Sequence, residues 1–327
     1  MKKKFKINNV SLVIAIALLI VMYLFGAAKY NRFGSLSTIL NLFNDNAYLI
    51  VVSVGMTFVL LTGGIDISVA SIVAFTGVFA AFLLEKGWAA APVIALTLFI
   101  GAFVGFLQGY AVHEFKIAPF LITLAGQFLM RGMCAVVSTI SIPITNDFFK
   151  SAALAKISWV TASGSRPKLY YYVFFAIAIV IIAWYILRFT RFGRAVYAVG
   201  SNEQSAQYMG LNVKGGKVGV YAINGFCSAL GGILFSFYTL AGYSLQNMGM
   251  ELDAISSAVI GGTLLTGGVG TVIGSMVGVL IQGIIQTIVT YQNLNTWWTK
   301  VTIAAILCFF IVIQRLSAIR AEKDKAA

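Results

Sequence analysis

Long runs of apolar residues decide most of what this chain can become. Residues 10–28, 170–187 and 301–313 are almost uninterrupted apolar stretches. They approach or reach the roughly 17 to 25 residues that an α-helix needs to cross the hydrocarbon core of a bilayer. No soluble core accommodates so many of them: 60% of the 327 residues are hydrophobic and 10% are charged, where soluble domains carry about 25% charged residues. The chain is therefore read as an all-α polytopic membrane protein, a single transmembrane domain over residues 1–327. About ten segments are expected, near 10–28, 40–62, 66–84, 91–111, 118–138, 169–187, 218–240, 253–265, 269–290 and 300–314. The stretch 253–265 is short enough for a half-helix, and re-entrance is an open alternative for the parts near 62–66 and 253–268. MKKKFK, an apolar run and then small residues Gly26 and Ala28 have the form of a signal peptide. An uncleaved first helix is the preferred reading, because the rest of the chain also stays in the membrane.

The net charge of +13 does not point to nucleic acid, since the basic residues sit in the gaps between apolar runs. With ten spans both termini share one side. That side carries fourteen lysines and arginines, Lys2, Lys3, Lys4, Lys6, Lys116, Arg188, Arg191, Arg194, Lys214, Lys217, Arg315, Arg320, Lys323 and Lys325, against eight opposite, with Arg131 inside a span. The positive-inside rule then places both termini in the cytoplasm. The longest cytoplasmic loop is 188–217. Cys134, Cys227 and Cys308 lie within apolar runs and His113 has no partner of ligand type nearby, so neither a disulfide nor a metal site is expected.

Within that loop the segment 198–213, AVGSNEQSAQYMGLNV, turns abruptly polar. Ser201 or Asn202 can cap a short helix, Glu203 suits the positive dipole end of its first turn, and Gly210 is placed to end it. Ala206 and Met209 are expected on one face. Isolated helices below about 12 residues are marginal in water, so something must support this one. Lipid headgroups are one candidate, and a cytoplasmic partner that grips a coupling element is the other.

RFGRAVYAVGSNEQSAQYMGLNVKGGKVGVY resembles the cytoplasmic loop of ABC importer permeases of the ribose, xylose and galactose type. So do GMTFVLLTGGIDISVASIVAFTG, APFLITLAGQFLMRG and LDAISSAVIGGTLLTGGVGTVIGSMVGVLIQG, and together these cover most of the chain. The resemblance implies a type II ABC importer-like permease fold in a bacterial inner membrane. It further implies that Glu203, Ala206 and Gly210, with Asn202 and Met209 beside them, form the helix that inserts into a separate ABC ATPase subunit. A periplasmic sugar-binding protein and a second permease subunit, identical or different, complete the implied assembly. ATP and magnesium belong to the ATPase. SIPI at 141–144 and WWTK at 297–300 are similar to a bacterial galactofuranose importer permease, which suggests that sugar. The family usually carries glycine where this chain has Ala70, which should tighten a close helix approach.

The chain lacks a Walker A motif of its own, since Gly216-Lys217 is followed by Val218 and no glycine stands five residues before Gly216. No cofactor is expected on it, and no enzymatic role: His113 and Glu114 are the only adjacent pair of acid–base type. LLTGG occurs twice, at 60–64 and 264–268, and reads either as helix breaks flanking a translocation path or as ordinary tight turns. Glycines at 101, 105 and 109, and again at 270, 274 and 278, form stripes suited to close helix packing. Charges within spans mark a path or an ion pair. Asp66, Arg131 and Asp253 qualify, with Asp45 near a span end. Arg131 is expected nearer Asp253 or Glu251 than Asp66. Gln127 and Asn224 join the candidate path residues, while Gln108, Gln282 and Gln286 have the same chemistry. The alternative to an importer subunit is an ion-coupled secondary transporter of a small polar solute, for which few mid-membrane ionisable groups are present.

Overall fold

The computed structural model describes the backbone of residues 2–160, 166–295 and 297–326, with side chains over 11–160, 166–295 and 297–312. The basic side chains of Lys2, Lys3, Lys4, Lys6, Arg315, Arg320, Lys323 and Lys325 lie outside the described residues. Thirteen helices are present among the described residues: α1 (Lys2–Lys29), α2 (Leu36–Leu61), α3 (Val69–Glu85), α4 (Ala90–Glu114), α5 (Pro119–Val137), α6 (Asp147–Leu154), α7 (Tyr171–Phe189), α8 (Arg191–Ser201), α9 (Glu203–Tyr208), α10 (Val213–Thr239), α11 (Met250–Ile260), α12 (Val272–Tyr291) and α13 (Trp297–Ala326). Each of the ten apolar segments falls on a helix. Seven helices are long and apolar enough to cross a bilayer, and two more, Val69–Glu85 and Trp297–Val312, are shorter apolar helices. The tenth is α11, whose 11 residues span about 16 Å at 1.5 Å per residue, half a membrane.

The centre of the bundle is α2, on which α10, α12, α7 and α11 pack. It is buried along most of its length, from Leu42 to Leu61. In lipid, burial of apolar surface no longer drives helices together, so close backbone approach must. The glycine stripes supply it. A Cβ on Gly101, Gly105 or Gly109 would strike α10 at Ala229 and the carbonyls of Gly225, Tyr221 and Val218, and a Cβ on Gly225 would strike the Gly101 carbonyl in return. Gly274 and Gly278 seat α12 on α11 in the same way, against the carbonyls of Gly261 and Ser257. Ala70 is fully buried in the main core.

The two ends of the bundle differ. At one end α2 begins, α1, α10 and α12 finish, and Tyr30 and Phe33 pack on Tyr291. Two small antiparallel ribbons and α6 lie in the loops of the chain: β1 (Ile142–Pro143) pairs with β4 (Ala241–Gly242), and β2 (Lys156–Ser158) with β3 (Lys168–Tyr170). At the other end α2 finishes, α10 and α12 begin, Lys214 bonds Glu114 across 2.8 Å, and Gly262 lies against Ser11 of α1.

Candidate coupling and translocation sites

Three successive helices of the 188–217 segment are each started by a side-chain cap. The Gly193 amide donates to Thr190 Oγ1 at 3.1 Å, the Ser205 amide to Asn202 Oδ1 at 2.8 Å, and the Gly215 amide to Asn212 Oδ1 at 2.7 Å. Of the two expected caps for α9, Asn202 is the one used. The helix ends in a Schellman motif: the Gly210 amide donates to the Gln207 carbonyl and the Leu211 amide to the Ala206 carbonyl, with Gly210 at φ 70°. Glu203, in the first turn, pairs with Lys217 at 2.6 Å.

Two expectations for this segment change. Ala206 and Met209 do not share a face: Ala206 is fully buried against Val199 and Val213, whereas Met209 caps the C-terminus with 66% of its surface exposed. The chain has already turned into the cap geometry at Met209, so helical spacing no longer applies there. The outward pair is Met209 and Tyr208, the latter 89% exposed. Nor does α9 need a foreign support to hold its shape. Its own flanks supply the apolar contact, and α8, hidden in a stretch read as loop, supplies the platform by burying Gly193, Ala195, Val196 and Val199.

That platform rests on both LLTGG breaks. The Gly268 amide donates to the Leu61 carbonyl at 2.8 Å, joining one copy to the other. Gly200 fits against both, since a Cβ there would strike the Leu61 oxygen and the Gly268 nitrogen. Gly268 itself, at φ 73°, lies against Ser201. Tyr197 donates to the Gly270 carbonyl at 2.8 Å, and burial pushes its phenol up to about 12 although Arg188 pulls the other way, so it remains a donor at neutral pH. Both breaks, the end of α8 and the start of α9 thus form one knot.

From the first break the chain re-enters the protein as irregular backbone before α3 starts. Asp66 lies there, fully buried. It accepts from the Ser68 amide at 2.8 Å, the Ser68 hydroxyl at 2.6 Å and Asn224 Nδ2 at 2.8 Å. Gln108 bonds Ser68 at 3.0 Å, and the Ile67 amide donates to Thr123 at 3.3 Å. Irregular backbone at membrane depth is tolerated where protein buries it, and this cluster ties it to α4, α5 and α10. Two candidate path residues, Asp66 and Asn224, are brought together.

The other three lie apart from that pair. Arg131 donates to the carbonyls of Ser244 and Gln246 at 2.7 and 3.0 Å, satisfied by backbone instead of an ion pair. Gln127 reaches Glu251 at 3.5 Å, near Arg131, as the expected depth required. Asp253 pairs with Lys300 at 2.6 Å, and Gln282 donates to its backbone carbonyl at 3.1 Å. These contacts fasten α5 and α13 to the start of α11.

A cavity of about 310 Å³ opens where α2 begins and α10 and α12 end, lined by residues that include Thr38, Asp45, Tyr48, Tyr238, Gln286 and Tyr291. The sequence placed Asp45 near a span end and Gln286 among polar residues of uncertain role. Their convergence is a tertiary fact that no spacing reveals.

The family model described as branched-chain amino acid transport system / permease component matches residues 38–311. The chain belongs to that family. It is 43% identical over 311 residues to the inner membrane ABC transporter permease protein YjfF of Escherichia coli K12, covering 94% of this chain and 92% of the relative. It is 36% identical over 318 residues to the fructose import permease protein FruG of Bifidobacterium longum, covering 96% and 94%. The ribose import permease protein RbsC of E. coli K12 is 31% identical over 299 residues, covering 91% of each chain. No solved structure matches the chain. One of these relatives is named an ABC transporter permease and two are named sugar import permeases; this permease is a transport component, with seven helices long and apolar enough to span a membrane. Within it the residues that sequence reasoning missed are Tyr208, whose exposure depends on how α9 is turned, Tyr197, whose partner lies 73 residues away, and the tyrosines of the cavity.

Proposed function

We propose that this permease is the transmembrane subunit of an ATP-driven importer of a monosaccharide, with galactofuranose the sugar that the 141–144 and 297–300 resemblances favour. It acts in the bacterial inner membrane with both termini in the cytoplasm. A separate ATPase subunit, which binds ATP and magnesium, grips the 198–213 segment through Asn202, Glu203, Met209 and Gly210, with Ala206 buried beneath them as the contact that seats the helix. A periplasmic sugar-binding protein delivers the ligand, and a second permease subunit completes the path. One observation supports the coupling: a capped helix presents exposed Tyr208 and Met209 outward while its root lies on both helix breaks. A partner that pulls on α9 therefore acts on the two places where the membrane helices are interrupted. Such a push shifts an equilibrium only if the partner binds the two states differently.

The test is Gly210→Ile in the reconstituted complex. Nothing crowds a side chain at Gly210, so the damage is conformational: a β-branched residue at positive φ costs at least about 1–2 kcal/mol. Sugar uptake and sugar-stimulated ATP hydrolysis are expected to be lost while membrane insertion persists. Normal uptake by the wild-type chain with no ATPase subunit present would overturn the reading and favour ion-coupled transport.

A further inference from the structure

The cavity between α2, α10 and α12 contains chemistry that the fold itself does not use. Among the described residues, no hydrogen bond or ion pair engages the side-chain polar groups of Asn41, Asp45, Tyr48, Tyr238 or Gln286, all of which line it. The charged groups of Asp66, Asp253 and Arg131 are engaged within the bundle, by Ser68 and Asn224, by Lys300 and by two carbonyls, whereas Asn224 Oδ1, Gln246 Nε2, Asn247 Nδ2 and Glu251 Oε2 are single buried atoms left without a partner; this cavity gathers whole side chains with none. A carboxylate left without a partner on a membrane helix is costly, and such residues face a water-filled cavity or a ligand.

We infer that this cavity is a way-station for an uncharged monosaccharide, with Asp45 and Gln286 holding its hydroxyls and Tyr48 and Tyr238 offering ring faces to its C–H surface. The inference rests on the importer reading and names the residues that would hold the sugar within it. Three features of the lining select that class. Among the described residues no lysine or arginine lines the cavity, and the only charged one that does is Asp45. A sugar phosphate, a sugar acid or the α-carboxylate of an amino acid would meet a like charge with nothing to offset it. Carboxylate and amide side chains accept and donate to vicinal hydroxyls, which suits a polyol and leaves an aliphatic side chain unrewarded. The rings of Tyr48 and Tyr238, with centroids 6.5 Å apart and planes tilted by 37°, offer adjacent flat surfaces, and Tyr48 is itself braced edge-on by Phe235 at 4.9 Å. Its place is equally telling. Asp45 is 17 residues before Thr62, about 25 Å along α2 from the knot of breaks at 1.5 Å per residue, at the opposite end of the bundle from the coupling helix. The cavity is thus where a ligand arriving from outside is met first.

The experiment uses the complete complex in proteoliposomes, with radiolabelled D-ribose, D-fructose, D-galactose and L-leucine offered one at a time. The wild-type chain is expected to accumulate at least one of the sugars and no leucine. With that sugar, Asp45→Asn and Gln286→Leu should each lower uptake at limiting concentration about tenfold, the effect of losing a charge-assisted or well-placed hydrogen bond. Both variants should co-purify with the ATPase in normal amounts, which separates a lost contact from a lost fold. In a further arm, Gln286→Cys treated with a cationic, membrane-impermeant thiol reagent should lose uptake, while the identically treated wild-type chain should not. Sugar uptake that survives both substitutions and the thiol adduct overturns the way-station and leaves the importer reading standing. ATP-dependent leucine uptake, or uptake of none of the sugars, overturns the sugar reading together with the way-station.

Discussion

Asparagine 202 is a small residue with a measurable task. Its side chain receives the Ser205 amide, and loss of such a cap costs typically about 1 kcal/mol. In Asn202→Ala the amides of 203–210 should exchange with solvent roughly fivefold faster, read by hydrogen exchange on that peptide, and Asn202→Asp should restore the slow rate. Asp66 answers for more. Asp66→Ala leaves the buried Ser68 amide and Asn224 amide group unmet, at about 1–3 kcal/mol each. The expected result is a chain that inserts but aggregates on mild heating in detergent, which size-exclusion chromatography after a temperature series would detect. Both residues could be singled out in the sequence, one by capping chemistry and one as a charge inside an apolar run. Asp45 could not be weighed in the same way: its importance depends on Tyr238 and Gln286, which lie 193 and 241 residues further along the chain and reach it only through the packing of α10 and α12 on α2.

The membrane helices were legible because an uninterrupted apolar run has few other fates, and even the half-length of α11 showed in its span. The elements that escaped are those whose burial is local or borrowed. α8 buries a narrow face of Gly193, Ala195, Val196 and Val199 beside two arginines, Arg191 and Arg194, so its pattern reads as loop. The ribbons are set by pairing partners such as Ile142 and Gly242, 100 residues apart. The stripes of glycine carry the opposite lesson, since a four-residue repeat announces a contact without naming the partner. The α4–α10 seam offers the clearest trial of that contact. A Cβ on Gly105 would overlap the Tyr221 carbonyl oxygen, and backbone cannot yield as a side chain can. Gly105→Leu should therefore part the two helices and cost well over the 1–3 kcal/mol usual for overpacking. A monodisperse peak from a fluorescent fusion, of wild-type height, would show the seam to be looser than this.

Three helices that wall the cavity, α2, α10 and α12, each have their other end beside the knot formed by the two breaks and the root of α9. On the proposed importer reading the long helices are struts between a ligand end and a motor end, and the fastening of α8 to the breaks is the place where force is passed on. Tyr197 is that fastening for the second break, through its bond to the Gly270 carbonyl. Removing the hydroxyl in Tyr197→Phe keeps the ring, the packing and the exposed face of α9, so the ATPase should dock and hydrolyse as before. What weakens is the link between α8 and the break between α11 and α12, by the roughly 0.5–1.5 kcal/mol of a net hydrogen bond. Sugar moved per ATP hydrolysed should fall about two- to tenfold, with co-purification of the ATPase unaltered. Measuring uptake and hydrolysis on the same proteoliposomes gives that ratio directly. An unchanged ratio would mean that α8 drives the first break alone, through Gly200 and the Leu61 carbonyl, and that α12 follows passively through its glycine seam with α11.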